Sequence, residues 1–238
     1  MIAVFVNTFT VLLGSFLGLV FRKGIPEKFK DAIMLAIGLC TLFIGIQGAL
    51  KGENVLVAII SMVLGVAVGT GLDLDGKVND LAAWTEKKFT KADNTGSGAF
   101  AQGLVTAFLL WCVGAMTVVG SLEAGFGNYE MLFTKSLLDL ISSMMLASSL
   151  GIGVIFAAIP LFLFQGGLVL LSGLLEPLLT TSMINELTCV GSLMILALGL
   201  NLINVTKIKV VDFLPGIIFA PIVSALLTLV LNLFGIVL

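Results

Sequence analysis

The sequence contains no histidine. Its absence removes the commonest metal ligand and the usual neutral-pH proton shuttle, and much enzyme chemistry goes with them. Charge is scarce as well. Asp, Glu, Lys and Arg make up 11% of the 238 residues, against roughly a quarter in an ordinary soluble domain. Twelve basic and fourteen acidic residues leave a net charge of -2, which gives no electrostatic footprint for a nucleic-acid partner. The three cysteines, Cys40, Cys112 and Cys189, each stand alone inside an apolar run. Neither a disulfide framework nor a CxxC metal site is suggested, and they read as small core residues. With no HExxH, no GxSxG and no intramembrane acid pair, an enzyme is not expected, nor is a cofactor.

What the chain has in abundance is apolar sequence, 59% of all residues. A helix crossing the hydrocarbon core needs about 20 mostly apolar residues, while barrel strands show alternating segments of about ten. The runs here are helix-length. Spans are expected at 2–21, 32–50, 54–72, 99–119, 131–150, 151–174, 187–205 and 213–237, which makes an all-α, polytopic transmembrane helix bundle of about eight spans. The fifth and sixth are separated only by Ser148, Ser149, Gly151 and Gly153, so either is a candidate for a re-entrant or broken helix. No basic residue precedes the first apolar run and no small-residue cleavage site follows it, so it reads as a retained span. Placing the next loop in the cytoplasm puts Arg22, Lys23, Lys28 and Lys30 inside, then Lys77, Lys87, Lys88 and Lys91, then Lys207 and Lys209. Only Lys51 and Lys135 fall toward the other side. This bias predicts both termini outside.

The one sizeable polar stretch, Asp73 to Ser97, sets Val78, Leu81, Ala82, Thr85 and Phe89 at helical spacing beside Lys77, Asp80, Lys87, Lys88 and Lys91. It reads either as a basic amphipathic helix on the membrane surface or as a solvated connector. Asn94 to Gly98 would form a hinge. An internal repeat is also visible. Gly38, followed by Gly45, Ile46 and Gln47, matches Gly191, followed by Gly199, Leu200 and Asn201, with one residue of slip. Each run is the middle helix of a three-helix set, and five spans separate the starts of the two sets. An odd number inverts the second set. The organisation expected is therefore a first repeat at 1–73, a linker at 74–98, a central helix pair at 99–150 and an inverted repeat at 151–238. Inverted repeats are a common construction of secondary transporters.

The fifth span carries a polar stripe. Lys135, Ser136, Asp139, Ser142, Ser143 and Ser149 share one helical face. Asp139 lies about eight residues from the end of the span, or about 12 Å in at 1.5 Å per residue. An Asp at that depth costs about 2.5 to 3.5 kcal/mol, while each Leu, Ile or Phe returns only about 0.3 to 0.6 kcal/mol. The stripe should therefore face protein or a water-filled cavity. Lys135, one turn away, is placed to pair with Asp139 or to snorkel outward. Asp139 is the candidate for binding a cation or proton during transport; the competing reading is a structural ion pair between helices.

In the first span Asn7, Thr10, Gly14 and Gly18 share a face, with the glycines suited to close packing; Gly65 and Gly69 repeat that spacing in the third. Such seams also serve a homodimer. Pro160 before Gln165, Gly166 and Gly167, and Pro215 with Gly216 before Pro221, mark the sixth and eighth spans as candidates for interruption. In the fourth, Trp111 and Cys112 precede Gly114, Ala115, Met116 and Thr117, a stretch that lets another helix approach. The site expected from these residues combines Asp139, Lys135, Ser142, Ser143, Asn7, Gln165, Gln47 and Asn201, with any metal unidentified.

The run Cys112 to Thr117 with Gly120 and Ser121, then Lys135, Ser136 and Asp139, Leu146 to Val154, and Gly199 to Asn201 followed by Lys207, Leu214 and Pro215 resembles an uncharacterised family of bacterial inner-membrane proteins. It is the family numbered 554 among domains of unknown function (DUF554), the YqgA/YdfK-like proteins, and the resemblance covers nearly the whole chain. It implies a multi-helix protein of the bacterial cytoplasmic membrane, sometimes described as a transporter, and supplies no substrate. The function expected is secondary transport of a small solute or ion, with cation or proton coupling through Asp139. A channel and a non-transporting scaffold or sensor are the alternatives. The partners expected are the lipid bilayer and an unidentified small solute or ion.

Overall fold

The computed structural model describes residues 1–22, 27–80, 97–112, 115–175, 177 and 179–233, and among them there are helices and no strands. Helices α1 (Ile2–Arg22), α2 (Glu27–Ala49) and α3 (Val55–Gly71) are followed by a short α4 (Leu74–Asp80). Then come α5 (Ser97–Cys112), α6 (Ala115–Gly125), α7 (Glu130–Leu150), α8 (Gly153–Phe156), α9 (Ala158–Leu170), α10 (Ser172–Leu175) and α11 (Thr181–Leu202). A 3-10 turn at Val210–Phe213 leads into α12 (Pro215–Leu233).

The burial pattern is that of a protein dissolved in lipid. In α1 the outward residues are Phe5, Phe9, Phe16 and Val20, while Asn7, Gly14, Ser15 and Gly18 face the interior. Apolar outside with small and polar groups inside is what hydrocarbon solvent selects, because the backbone bonds close within each helix and the side chains need only avoid exposing polarity. Five described helical segments are long and apolar enough to cross a membrane, and counting two bent pairs as one span each brings the number to seven. The one expected span left over is the second, at 32–50, which corresponds to α2, whose apolar part Leu35–Ala49 is shorter.

The sixth span is divided into α8, α9 and α10, with a junction at Ala157 three residues before Pro160, while the sharper bends fall where there is no proline. The fifth span is one unbroken helix, α7, of 21 residues. The fourth is the bent one: its halves, Phe100–Cys112 and Met116–Gly125, meet at 62°. The third bends by 53° into α4. Pro160 lies near the start of α9 and Pro215 is the first residue of α12, positions where the missing N–H has no partner to lose. Pro221 sits within α12. Residues 81–96, which hold most of the basic amphipathic segment and the hinge residues Asn94, Thr95 and Gly96, lie outside the described residues.

Glycines set the helix pairs. Gly14 lies against Leu140 and Ser143, and Gly18 against Met144 and Ala147, so α1 and α7 run parallel with their backbones nearly touching. This is the most extensive helix contact described. The α2–α11 pair is antiparallel: Gly38 meets Leu202 and Ile203, Gly45 meets Leu196, Gly48 meets Ser192, and Gly199 meets Leu42. Gly65 meets Gly216 and Gly69 meets Asp212, which makes α3 antiparallel to α12 and its preceding turn. A third antiparallel pair, α1 and α9, is marked by Met1 beside Gly166 and by the Phe5 and Phe162 rings 5.3 Å apart. Between α7 and α8, Gly151 takes φ +83°, a conformation that a side chain would strain.

Candidate functional site

Three helices bring the polar residues of the interior together. Asn7 comes from α1, Lys135 and Asp139 from adjacent turns of α7, and Gln165 from α9. All four are buried: Asn7 and Gln165 are 0% exposed, Asp139 4% and Lys135 6%. The Lys135 ammonium donates to both carboxylate oxygens of Asp139, at 2.8 Å to Oδ1 and 2.6 Å to Oδ2. Asn7 Nδ2 donates to Asp139 Oδ2 and to Gln165 Oε1, each at 3.1 Å. Lysine pairs rather than snorkels because Asp139, one turn away on the same face, offers it an anion that water does not reach. The charges of the pair cancel over a single hydrogen-bond length, and the amides extend the polar patch onto two more helices.

The serine stripe of α7 has other work. Ser142 accepts from Trp111 Nε1 at 3.0 Å and donates to the Asp139 carbonyl at 3.2 Å, which ties the cluster to the end of α5. Ser143 donates back to the Leu140 carbonyl and lies against Gly14, and Ser136 donates to the Leu132 carbonyl. At the bend between α5 and α6, Thr117 Oγ1 donates to the Trp111 carbonyl at 2.6 Å, so a backbone acceptor freed by the broken helix is satisfied by a side chain. Thr117→Val should leave that buried carbonyl without its partner and cost about 1 to 3 kcal/mol. Thermal unfolding in detergent checks this, with Thr117→Ser expected to behave as the parent.

Two expected residues stand apart. Gln47 is exposed on α2. Asn201, near the end of α11, accepts from Thr206 Oγ1 and the Ile208 N–H and donates to the Ile208 carbonyl. It therefore shapes the loop before the 3-10 turn. That loop borders a cavity of about 640 Å³ whose polar wall includes Asp75, Asn79, Gln102, Asn201, Thr206 and Lys207. Asp212, buried beside it, accepts from the Asp75 N–H at 3.0 Å.

A second buried acid escaped the sequence reading. Glu186 is 1% exposed, and its Oε1 accepts from the N–H groups of Glu53 at 2.8 Å and Asn54 at 2.6 Å. Its Oε2 is buried without a hydrogen-bond partner. Helix α11 begins at Thr181, six residues ahead of the expected span, with Thr180 Oγ1 accepting from the Met183 N–H. Asn185 and Glu186, which fall just before the expected span at 187–205, are thus inside the helix. Glu53 itself is exposed, and hydrogen bonds from Ser182 and Asn185 hold its carboxyl below the usual range. The stabilisation they give is present at neutral pH and fades as pH falls through that lowered value.

A lipid-facing exterior enclosing a charge-paired polar cluster defines a multi-pass integral membrane protein. The comparisons agree. The family model described as "Protein of unknown function (DUF554)" matches residues 2–225, and the chain belongs to that family. It is 34% identical over 222 residues to "Uncharacterized membrane protein YdfK" of Bacillus subtilis (strain 168), covering 91% of this chain and 93% of that protein. It is 32% identical over 223 residues to "Uncharacterized protein YqgA" of Escherichia coli (strain K12), covering 93% and 95%. No solved structure matches the chain.

Proposed function

We propose that this protein is a secondary transporter of a small solute or ion in the bacterial cytoplasmic membrane, with its site at the Asn7–Lys135–Asp139–Gln165 cluster and with cation or proton coupling through Asp139. The observation that carries the reading is the burial of an ion pair and two amides at the meeting of α1, α7 and α9 in a bundle whose exterior is lipid-facing. Ionisable residues inside membranes are costly and mark solute or ion pathways. A coupling cation reaching Asp139 must take the place of the Lys135 ammonium, which makes the two mutually exclusive.

The helix pairing supports an inverted repeat. Gly45 sits on Leu196 while Gly199 sits on Leu42, an exchange of glycine and leucine that a two-fold axis through the α2–α11 crossing would produce. The antiparallel α1–α9 and α3–α12 pairs fit the same axis, and α7 lies outside both sets. Transporters of this kind place their site near the midplane, where the repeats meet. The loop lysines Lys207 and Lys209 then lie in the cytoplasm and both termini outside. The glycine seams that suggested a homodimer are filled within one chain, so a dimer would need another surface.

Vesicles holding the purified protein test the reading. The parent should give saturable uptake of at least one member of a panel of amino acids, carboxylates and monovalent cations, and Asp139→Asn should abolish its dependence on a proton or cation gradient. Absence of flux across the whole panel would defeat it.

A further inference from the structure

The cluster is not fully satisfied. Asn7 Nδ2 is shared between Asp139 and Gln165, which leaves Asn7 Oδ1 and Gln165 Nε2 buried with no hydrogen-bond partner. The amide orientations are fixed by the chemistry. An ionised Asp139 only accepts, so Asn7 must turn its NH2 toward it, and that same NH2 obliges Gln165 to offer its oxygen. One acceptor and one donor are therefore left over on two side chains that are 0% exposed, where each unmade hydrogen bond costs about 1 to 3 kcal/mol. Native interiors rarely tolerate this without a water, an ion or a ligand at the place.

Packing at the α9 glycines is less tight than along the α1–α7 seam. A Cβ built on the buried Gly166 would meet nothing nearer than the Met1 methyl at 3.7 Å, and one on Gly167 would meet nothing within 4 Å. By contrast, Gly14 and Gly18, which face α7, admit no added atom.

Electrostatics narrows the occupant. Lys135 and Asp139 neutralise one another at 2.6 Å, so the cluster presents no net charge to hold a lone ion in a medium where an unpaired charge is expensive. A solute that is itself neutral overall, and that carries a donor next to an acceptor, meets both vacant atoms at once. We infer that the cluster takes a net-neutral small solute of this kind, a primary amide or a zwitterionic amino acid, whose donor meets Asn7 Oδ1 and whose acceptor meets Gln165 Nε2. This rests on the transport reading and specifies the substrate class of the same site.

The test uses the full chain in detergent, with calorimetry and thermal unfolding against glycine, acetamide, sodium acetate, methylammonium chloride and sodium chloride. Saturable binding of glycine or acetamide is expected, with no response to acetate or methylammonium at matched ionic strength. Glycine alone would identify the zwitterion, and acetamide alone the amide. Gln165→Glu keeps an acceptor toward Asn7 and removes the free donor, so affinity should fall at least tenfold. Should that variant fail to fold, the parent panel decides without it. Binding of acetate, methylammonium or sodium alone would overturn the inference and leave the transport reading standing. Silence toward glycine and acetamide overturns it, as would a single water joining the two free atoms in a crystal structure of protein soaked with either. Unchanged glycine affinity in a folded Gln165→Glu also overturns it, and absence of flux by the parent across the whole panel would end both.

Discussion

Lys135→Met should lower the stability of the protein by about 3 to 5 kcal/mol, the range for removing one partner of a buried ion pair. The loss is large because of what remains. Asp139 would keep only the Asn7 amide as a donor, at 3.1 Å, in a place that is 4% exposed. Adding Asp139→Leu to Lys135→Met should recover most of the loss, since replacing both members by apolar groups of similar volume is often near neutral. Thermal midpoints in detergent, followed by size-exclusion profile, measure both steps. If the double variant is no more stable than the single, an unpaired buried carboxylate is not the source of the loss. The same double variant separates structure from activity. It should fold and should give no solute flux, whereas a purely structural ion pair predicts a folded double variant that still transports.

Gly14→Leu, alone or with Gly18→Leu, should prevent α1 from seating and abolish the monodisperse folded protein. A Cβ at Gly14 runs into the Leu140 carbonyl and the Ser143 hydroxyl, and one at Gly18 into the Met144 carbonyl. These obstacles are largely backbone, which cannot turn aside as a long side chain does. Overpacking in a core costs about 1 to 3 kcal/mol per site, and the displacement of α1 would also pull Asn7 from Asp139 and Gln165. Gly71→Ala, where an added Cβ meets nothing within 4 Å, is the control and should leave the elution profile and midpoint unchanged. Equal tolerance of both substitutions would mean that α1 and α7 are not packed backbone to backbone.

Much of this was legible in the order of residues, and the remainder was not for physical reasons. The all-helical membrane architecture follows from the length of the apolar runs, and the Lys135–Asp139 pair from a spacing of four on one helix. Periodicity names a face but not its neighbour. That Asn7 would meet Gln165, 158 positions away, depended on which helices pack, and the sequence pattern left Gln47 and Asn201 equally eligible. Proline was a partial guide because its effect depends on place: Pro160 follows the α8–α9 junction and Pro215 starts α12, while the sharp bend in the fourth span has no proline and is bridged by Thr117. Glu186 was missed because an acid next to an apolar run looks like a span boundary. Only the two N–H groups of the α2–α3 connection, which donate to its carboxylate, explain how it enters the helix.

The unequal grip on α1 has a mechanical consequence. It is clasped to α7 by close backbone approach along two turns, while it meets α9 through side chains: a ring pair, the Asn7–Gln165 hydrogen bond and an apolar cluster that includes Ala3, Val4, Phe162 and Val169. Sliding α9 past α1 would part a neutral hydrogen bond worth about 0.5 to 1.5 kcal/mol, whereas moving α1 from α7 would expose an ion pair. Any rocking of this bundle therefore shears along the α1–α9 seam, with α1 and α7 travelling as one rigid body.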